Sequence, residues 1–150
     1  MSERTAKATS RLAPPRLAEN AAAVAAGEEL VRQYQEWRQS FQTPAQRLAL
    51  IRKICERIAE EFRPEQLILF GSHAYGTPTS ESDLDLLVVM PFEGSPLAQA
   101  VKISRRLKLM LPLDLIVRTR EQLNERLAMD DFFMREIVER GKVMYEAPHH

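Results

Sequence analysis

The sequence predicts a mixed α+β (α/β) domain, a small mixed sheet flanked by helices, preceded by an N-terminal helical extension. Three observations predict it. Over residues 16–62 apolar side chains recur at three- and four-residue spacing. Beyond Pro64 the texture changes to short apolar runs, Leu67–Phe70, Leu84–Met90 and Leu113–Val117. Between and after those runs helical spacing returns, and strands alternating with helices make a sheet with helices packed on it. At 150 residues, 45% hydrophobic and 28% charged, the chain has the size and composition of one compact domain with an appendage.

Residues 1–15 mix Ser, Thr, Lys, Arg and Ala and end in Pro14-Pro15, which predicts a flexible leader. Residues 16–42 form the helical extension, with Leu30, Tyr34, Trp37 and Phe41 on one stripe. Residues 43–150 form the main domain. Thr43-Pro44 starts its first helix, Thr as N-cap and Pro in the first helical position. Leu48, Ile51, Cys55, Ile58 and Phe62 make that helix's apolar stripe, and Pro64 stops it. Leu67–Phe70 reads as a buried strand entering a tight Gly71-Ser72 turn. A polar stretch to Ser82 leads into Leu84–Met90, the strongest strand signal. Residues 97–110 have helical spacing through Leu97, Val101, Leu107 and Met110, and Leu113–Val117 is a third strand. A helical pattern over Glu121–Glu139, broken near Asp130, ends at Gly141, and Lys142–Tyr145 reads as a last short strand.

Composition excludes several classes of function. Lys plus Arg and Asp plus Glu both number 21, so the chain lacks the basic surplus that draws proteins to phosphate backbones, and long nucleic acid is not an expected partner. The single Cys55 cannot form an internal disulfide, which fits a reducing cytoplasm. Ala21–Ala26 is too short for a secretory core, and nothing approaches the roughly 18 apolar residues of a membrane span.

The chemistry is carried by acids in strands. Asp83 and Asp85 open the run Leu84–Val89, although Asp is depleted in strands. Strand side chains alternate faces, so both carboxylates point the same way. Asp114 lies inside Leu113–Val117; if that strand neighbours the other, Asp114 joins the same face, whereas one residue of register slip turns it away. Three such carboxylates repel each other unless protons or cations neutralise them. An all-oxygen donor set without His or Cys favours Mg²⁺ over zinc. Two Mg²⁺ ions can hold the attacking and leaving oxygens of a phosphoryl or nucleotidyl displacement. Gly71-Ser72 complements this as a phosphate cradle, because a Gly turn lets backbone N–H groups approach an anion. Gly71–Gly76 is not a P-loop, since Thr77-Pro78 stands where that motif needs Lys followed by Ser or Thr.

Gly71-Ser72, ten intervening residues, Asp83-Leu84-Asp85 and a later strand Asp together resemble the DNA polymerase β-like nucleotidyltransferase superfamily. The stretch Leu69–Gly76 and the ending Gly141–Tyr145 are similar to its minimal nucleotidyltransferases, which often act as antitoxins of HEPN-domain toxins. The resemblance covers residues 44–146. It implies the polymerase β-like fold and transfer of a nucleotide, most often AMP from ATP, to a hydroxyl of a protein acceptor such as a HEPN toxin. It implies that Asp83 and Asp85 ligate two Mg²⁺ ions. Asp114 would ligate the catalytic ion and help deprotonate the acceptor, while Gly71 and Ser72 hold the terminal phosphates. Many relatives carry Arg where this chain has Tyr75. A different class of reading is a binding protein with weak or no catalysis that neutralises a partner by occlusion, using the aromatic stripe of the first helix. Homo- and hetero-oligomers fit either.

Other candidates read as structure. His73 is expected exposed on the turn, Cys55 in the core, and Lys102, Arg105, Arg106 and Lys108 on a solvated face.

Overall fold

A computed structural model describes residues 43–79, 82–108 and 113–148, with scattered positions between 25 and 39 that are helical and exposed. The expected leader, Met110, and the stripe Leu30, Tyr34, Trp37 and Phe41 lie outside the described residues. The elements are α1 (Pro44–Phe62), β1 (Gln66–Phe70), α2 (Ser72–Tyr75), β2 (Leu84–Val89), α3 (Pro96–Leu107), β3 (Leu113–Arg118), α4 (Arg120–Ala128), α5 (Phe132–Arg140) and β4 (Lys142–Glu146). The strands form one four-stranded sheet in the order β3-β2-β1-β4. β2 and β3 are parallel, joined through α3, and the other two pairings are antiparallel. This is the mixed sheet with flanking helices that the alternation of patterns predicts.

Local sequence sets the helix ends. The Thr43 hydroxyl accepts from the Gln46 N–H at 3.1 Å, and α1 closes on Arg63 in the left-handed region. Ser95 caps α3 by accepting from the Ala98 N–H at 3.0 Å. Thr119 and Gln122 form a reciprocal capping box at the start of α4. The pattern over Glu121–Glu139 resolves into two helices: Asp130 takes a positive φ, and Asp131 caps α5 through the Met134 N–H at 3.1 Å.

Each sheet face carries its own core, because strand side chains alternate. On one face Leu67, Leu69, Leu84, Leu86 and Val88 pack with Ile51, Ile54, Cys55 and Ile58 of α1 and Ile103 and Leu107 of α3. On the other, Ile68, Phe70, Leu87 and Val89 pack with Leu123 of α4 and Met134 and Ile137 of α5. Side chains of this size contribute about 1.5–3 kcal/mol each when fully buried. Cys55 is a core residue, and burial pushes its thiol up to about 12. The expected stripe of α3 is corrected in part: Leu107 is buried as expected, but Leu97 and Val101 are exposed, and Gln99 and Ile103 face inward instead. Among the described residues no helix is long and apolar enough to cross a membrane.

Candidate active site

The central strand β2 positions the acids. Its parallel register with β3 pairs Asp85 with Asp114, and its antiparallel register with β1 pairs Asp85 with Phe70. Register partners share a face, and adjacent strands lie about 4.8 Å apart. Asp85 and Asp114 therefore stand side by side on the α4–α5 face, with Asp83 just ahead of β2. Asp83 and Asp114 are exposed and Asp85 is half-buried. Burial, with the charges of Asp114 and then Asp83, pushes the Asp85 carboxyl up to about 6.

Gly71 brings the turn against this carboxylate. Its φ of 75° and ψ of −156° lie in a region almost reserved for glycine. A Cβ built on it would collide with Oδ2 of Asp85 and stand 3.2 Å from Cγ. The bare Gly71 backbone and Asp85 are thus in direct apposition. The turn winds into the four residues of α2, in which the Ala74 and Tyr75 N–H groups donate to the Gly71 carbonyl at 3.0 and 3.1 Å and Gly76 N–H donates to the Ser72 carbonyl at 3.1 Å. Ser72 is half-buried within it.

His73 is not on the surface as expected. It is 6% exposed, its Nε2 lies 3.4 Å from the Ser82 carbonyl oxygen, and burial holds its imidazole below the ordinary value. It clips the turn to the residue preceding Asp83, so the cradle and the acids are fixed relative to each other. The sequence held no signal for this, because a polar residue in a Gly- and Thr-rich stretch has no periodicity to reveal the way it faces. Two contacts from α5 were equally silent. Phe133 meets Phe70 edge-to-face at 5.7 Å, and the Arg140 guanidinium lies 4.3 Å from the Tyr75 ring centroid.

The donor set suits a hard divalent cation. All candidate ligands are carboxylate oxygens, and the raised Asp85 registers its burial and then the charges of its two acidic neighbours. Among the described residues no three His, Cys, Asp or Glu side chains form a ready-made metal cage. A separate groove of about 310 Å³, lined by Arg52, Cys55, Glu56, Met144 and Tyr145 among others, lies on the α1 side and holds none of these acids.

The sheet corner joins paired strand acids to a glycine turn, and comparison with known proteins gives the class of domain. Residues 51–143, well over half of the chain, match the family described as "Nucleotidyltransferase domain", and the chain belongs to that family. It is 32% identical over 83 residues to a Methanocaldococcus jannaschii protein named "putative protein adenylyltransferase", spanning 55% of this chain and 80% of that one. The crystal structure of a "putative nucleotidyltransferase" from Sulfolobus solfataricus shares the fold, with a TM-score of 0.51 at 22% identity over 71% of this chain and 86% of that one. A chain from a toxin–antitoxin complex crystallised with AMP-PNP aligns at a TM-score of 0.44 and 20% identity over 64% of this chain and 73% of that one, a likeness that carries no argument.

Proposed function

We propose that the protein is a cytoplasmic Mg²⁺-dependent nucleotidyltransferase that moves AMP from ATP onto a hydroxyl of a protein acceptor, as the antitoxin of a HEPN-domain toxin. The observation that carries the nucleotidyl-transfer part is the Asp85 carboxylate held between Asp114 on the neighbouring strand and the bare backbone of Gly71. The M. jannaschii relative's name supports a protein acceptor. The toxin as acceptor rests on the motif resemblance of Leu69–Gly76 and Gly141–Tyr145. We take residues 43–150 as the catalytic unit and 16–42 as its extension.

In this reading Asp83 and Asp85 would hold two Mg²⁺ ions, and Asp114 would help hold the catalytic one. Bound Mg²⁺ would neutralise the phosphate charge and lower the barrier to displacement. Gly71 and Ser72 receive the terminal phosphates, and His73 keeps their turn in register with the acids. The acceptor oxygen forms a bond to the α-phosphorus as the bond from that phosphorus to the bridging oxygen breaks. Pyrophosphate departs with the electron pair. The acceptor proton passes to the Asp114 carboxylate, which is exposed and can hand it to water.

The test is incubation with α-labelled ATP, Mg²⁺ and a candidate HEPN-domain protein. Label should move to the partner and stop when Mg²⁺ is chelated. An Asp83→Ala, Asp85→Ala double variant should lose at least about three orders of magnitude in rate, equivalent to about 4 kcal/mol of transition-state stabilisation. Equal labelling by that variant, or none by the native chain, sinks the reading. Neutralisation of the partner without labelling would favour occlusion instead.

A further inference from the structure

We propose that Arg140 is a polyphosphate-binding residue, supplying from α5 the cation that the glycine turn lacks; this rests on the nucleotide reading above. Residues 71–82 contain no Lys or Arg, so the turn offers a triphosphate tail only neutral donors. The chain then folds a guanidinium from a distant element onto the ring of Tyr75, at the end of the helix that the turn begins. β4 enters the sheet with Lys142 opposite Leu69, two residues before Gly71. Gly141 permits that approach, since a Cβ there would collide with the Ile137 and Leu69 carbonyls and the Ile68 side chain. Arg140 is consequently delivered to the flank of α2. Its guanidinium sits 4.3 Å from the Tyr75 ring centroid, and the Tyr75 N–H is itself bonded to the Gly71 carbonyl at 3.1 Å.

The chemistry of the pair suits an anion. A guanidinium on an aromatic face is held by the ring quadrupole, leaving its edge for hydrogen bonds. Nη1 donates to Glu136 at 3.2 Å, one of five N–H donors available. The side chain is 55% exposed, so the rest of the fork meets solvent. Glu136 fixes the arm's azimuth and Tyr75 its height above the turn. Lys142 and Glu139 are the other charges next to Arg140 along the chain, and both are exposed. Arg47 of α1 is a second cation near the turn, and its charge adds to burial in holding the His73 imidazole below its ordinary value. An elongated tail lying along Gly71-Ser72 would meet Arg140 at the Tyr75 end, which assigns it the phosphates farthest from the acids.

The experiment is displacement of a fluorescent ATP analogue from the full chain in Mg²⁺, by ATP and by inorganic tripolyphosphate, with folding checked by thermal melting. Arg140→Gln should weaken both displacers about tenfold by the same factor, and Arg140→Lys about threefold. Tyr75→Phe should match the native protein, because the ring remains, whereas Tyr75→Leu should fall about threefold. Undiminished binding by Arg140→Gln overturns the assignment and leaves the nucleotide reading standing. Weaker ATP with unchanged tripolyphosphate also overturns it, since the contact would then be to the sugar or base. A native chain that binds neither displacer rejects the nucleotide reading together with the assignment.

Discussion

Along β2, residues Leu86 to Val89 are sealed from water on both faces, whereas Asp83 is exposed and Asp85 only half-buried a few residues earlier in the same run. The inner half is held by side chains of both cores, from α1 and α3 on one side and α4 and α5 on the other. The outer half is surrounded by like charge and a glycine backbone, and its half-buried carboxylate resists ionisation. The inner half gives the sheet a fixed register, and that register is what forces Asp85 against Asp114. Stability is concentrated a few residues from the place where it is given up, which is how a small domain can keep repelling charges together.

The largest effect that separates the halves is on stability. Leu86→Ala empties a position with no solvent exposure and should cost about 2–5 kcal/mol in chemical denaturation, at the upper end if the cavity cannot collapse. Below the unfolding transition its Mg²⁺–ATP affinity should stay native, because no ligand is touched. A Leu86→Ala protein that is as stable as the native chain, or that folds but loses nucleotide affinity, would deny that the two halves have separate tasks.

How much of this was legible differs between the halves for physical reasons. The inner strand was readable because burial on both faces leaves a continuous apolar run, and Asp83 and Asp85 were readable because acids interrupt it. Asp114 needed only the guess that β3 neighbours β2. The helix starts at Thr43 and the break near Asp130 followed from local capping chemistry. The orientation of α3 was read only in part: Leu107 is buried as expected, but Leu97 and Val101 offer a plausible stripe that proves exposed, and only the packed sheet selects Ile103. The inward turn of His73 and the stacking of Arg140 on Tyr75 were out of reach. The first depends on a four-residue helix without periodicity, and the second joins residues 65 positions apart, so no local pattern encodes either.

Gly71→Ala should act at the boundary between the halves. The native φ and ψ cost a non-glycine residue about 1–3 kcal/mol, and the new methyl would also have to push Asp85 aside. Stability should fall by about 2 kcal/mol and Mg²⁺–ATP affinity by at least tenfold, read by denaturation and calorimetry. A variant that loses stability but keeps full affinity would show that the turn shapes the fold without forming part of the site.

The smallest effect measures the burial of Asp85 together with the crowding among the acids. Asp85 has a folded pKa of about 6 against an ordinary 3.8, so the folded chain holds this proton more tightly than the unfolded chain. The sign follows by linkage: the folded state loses stability as pH rises from about 3.8 to about 6, and the loss is complete above that window. Asp85→Asn cannot ionise, and without metal it should melt higher than the native protein at pH 7.5. The group is partly solvated, so screening reduces the gain to about 1 kcal/mol. The difference should shrink to nothing as pH falls toward 4. Added Mg²⁺ should reverse the order at neutral pH, because it neutralises the native acids and has less to bind in the variant. If Asp85→Asn melted lower than the native chain at neutral pH without metal, Asp85 would be serving the fold like Leu86, and the contrast along β2 would fail at its central residue.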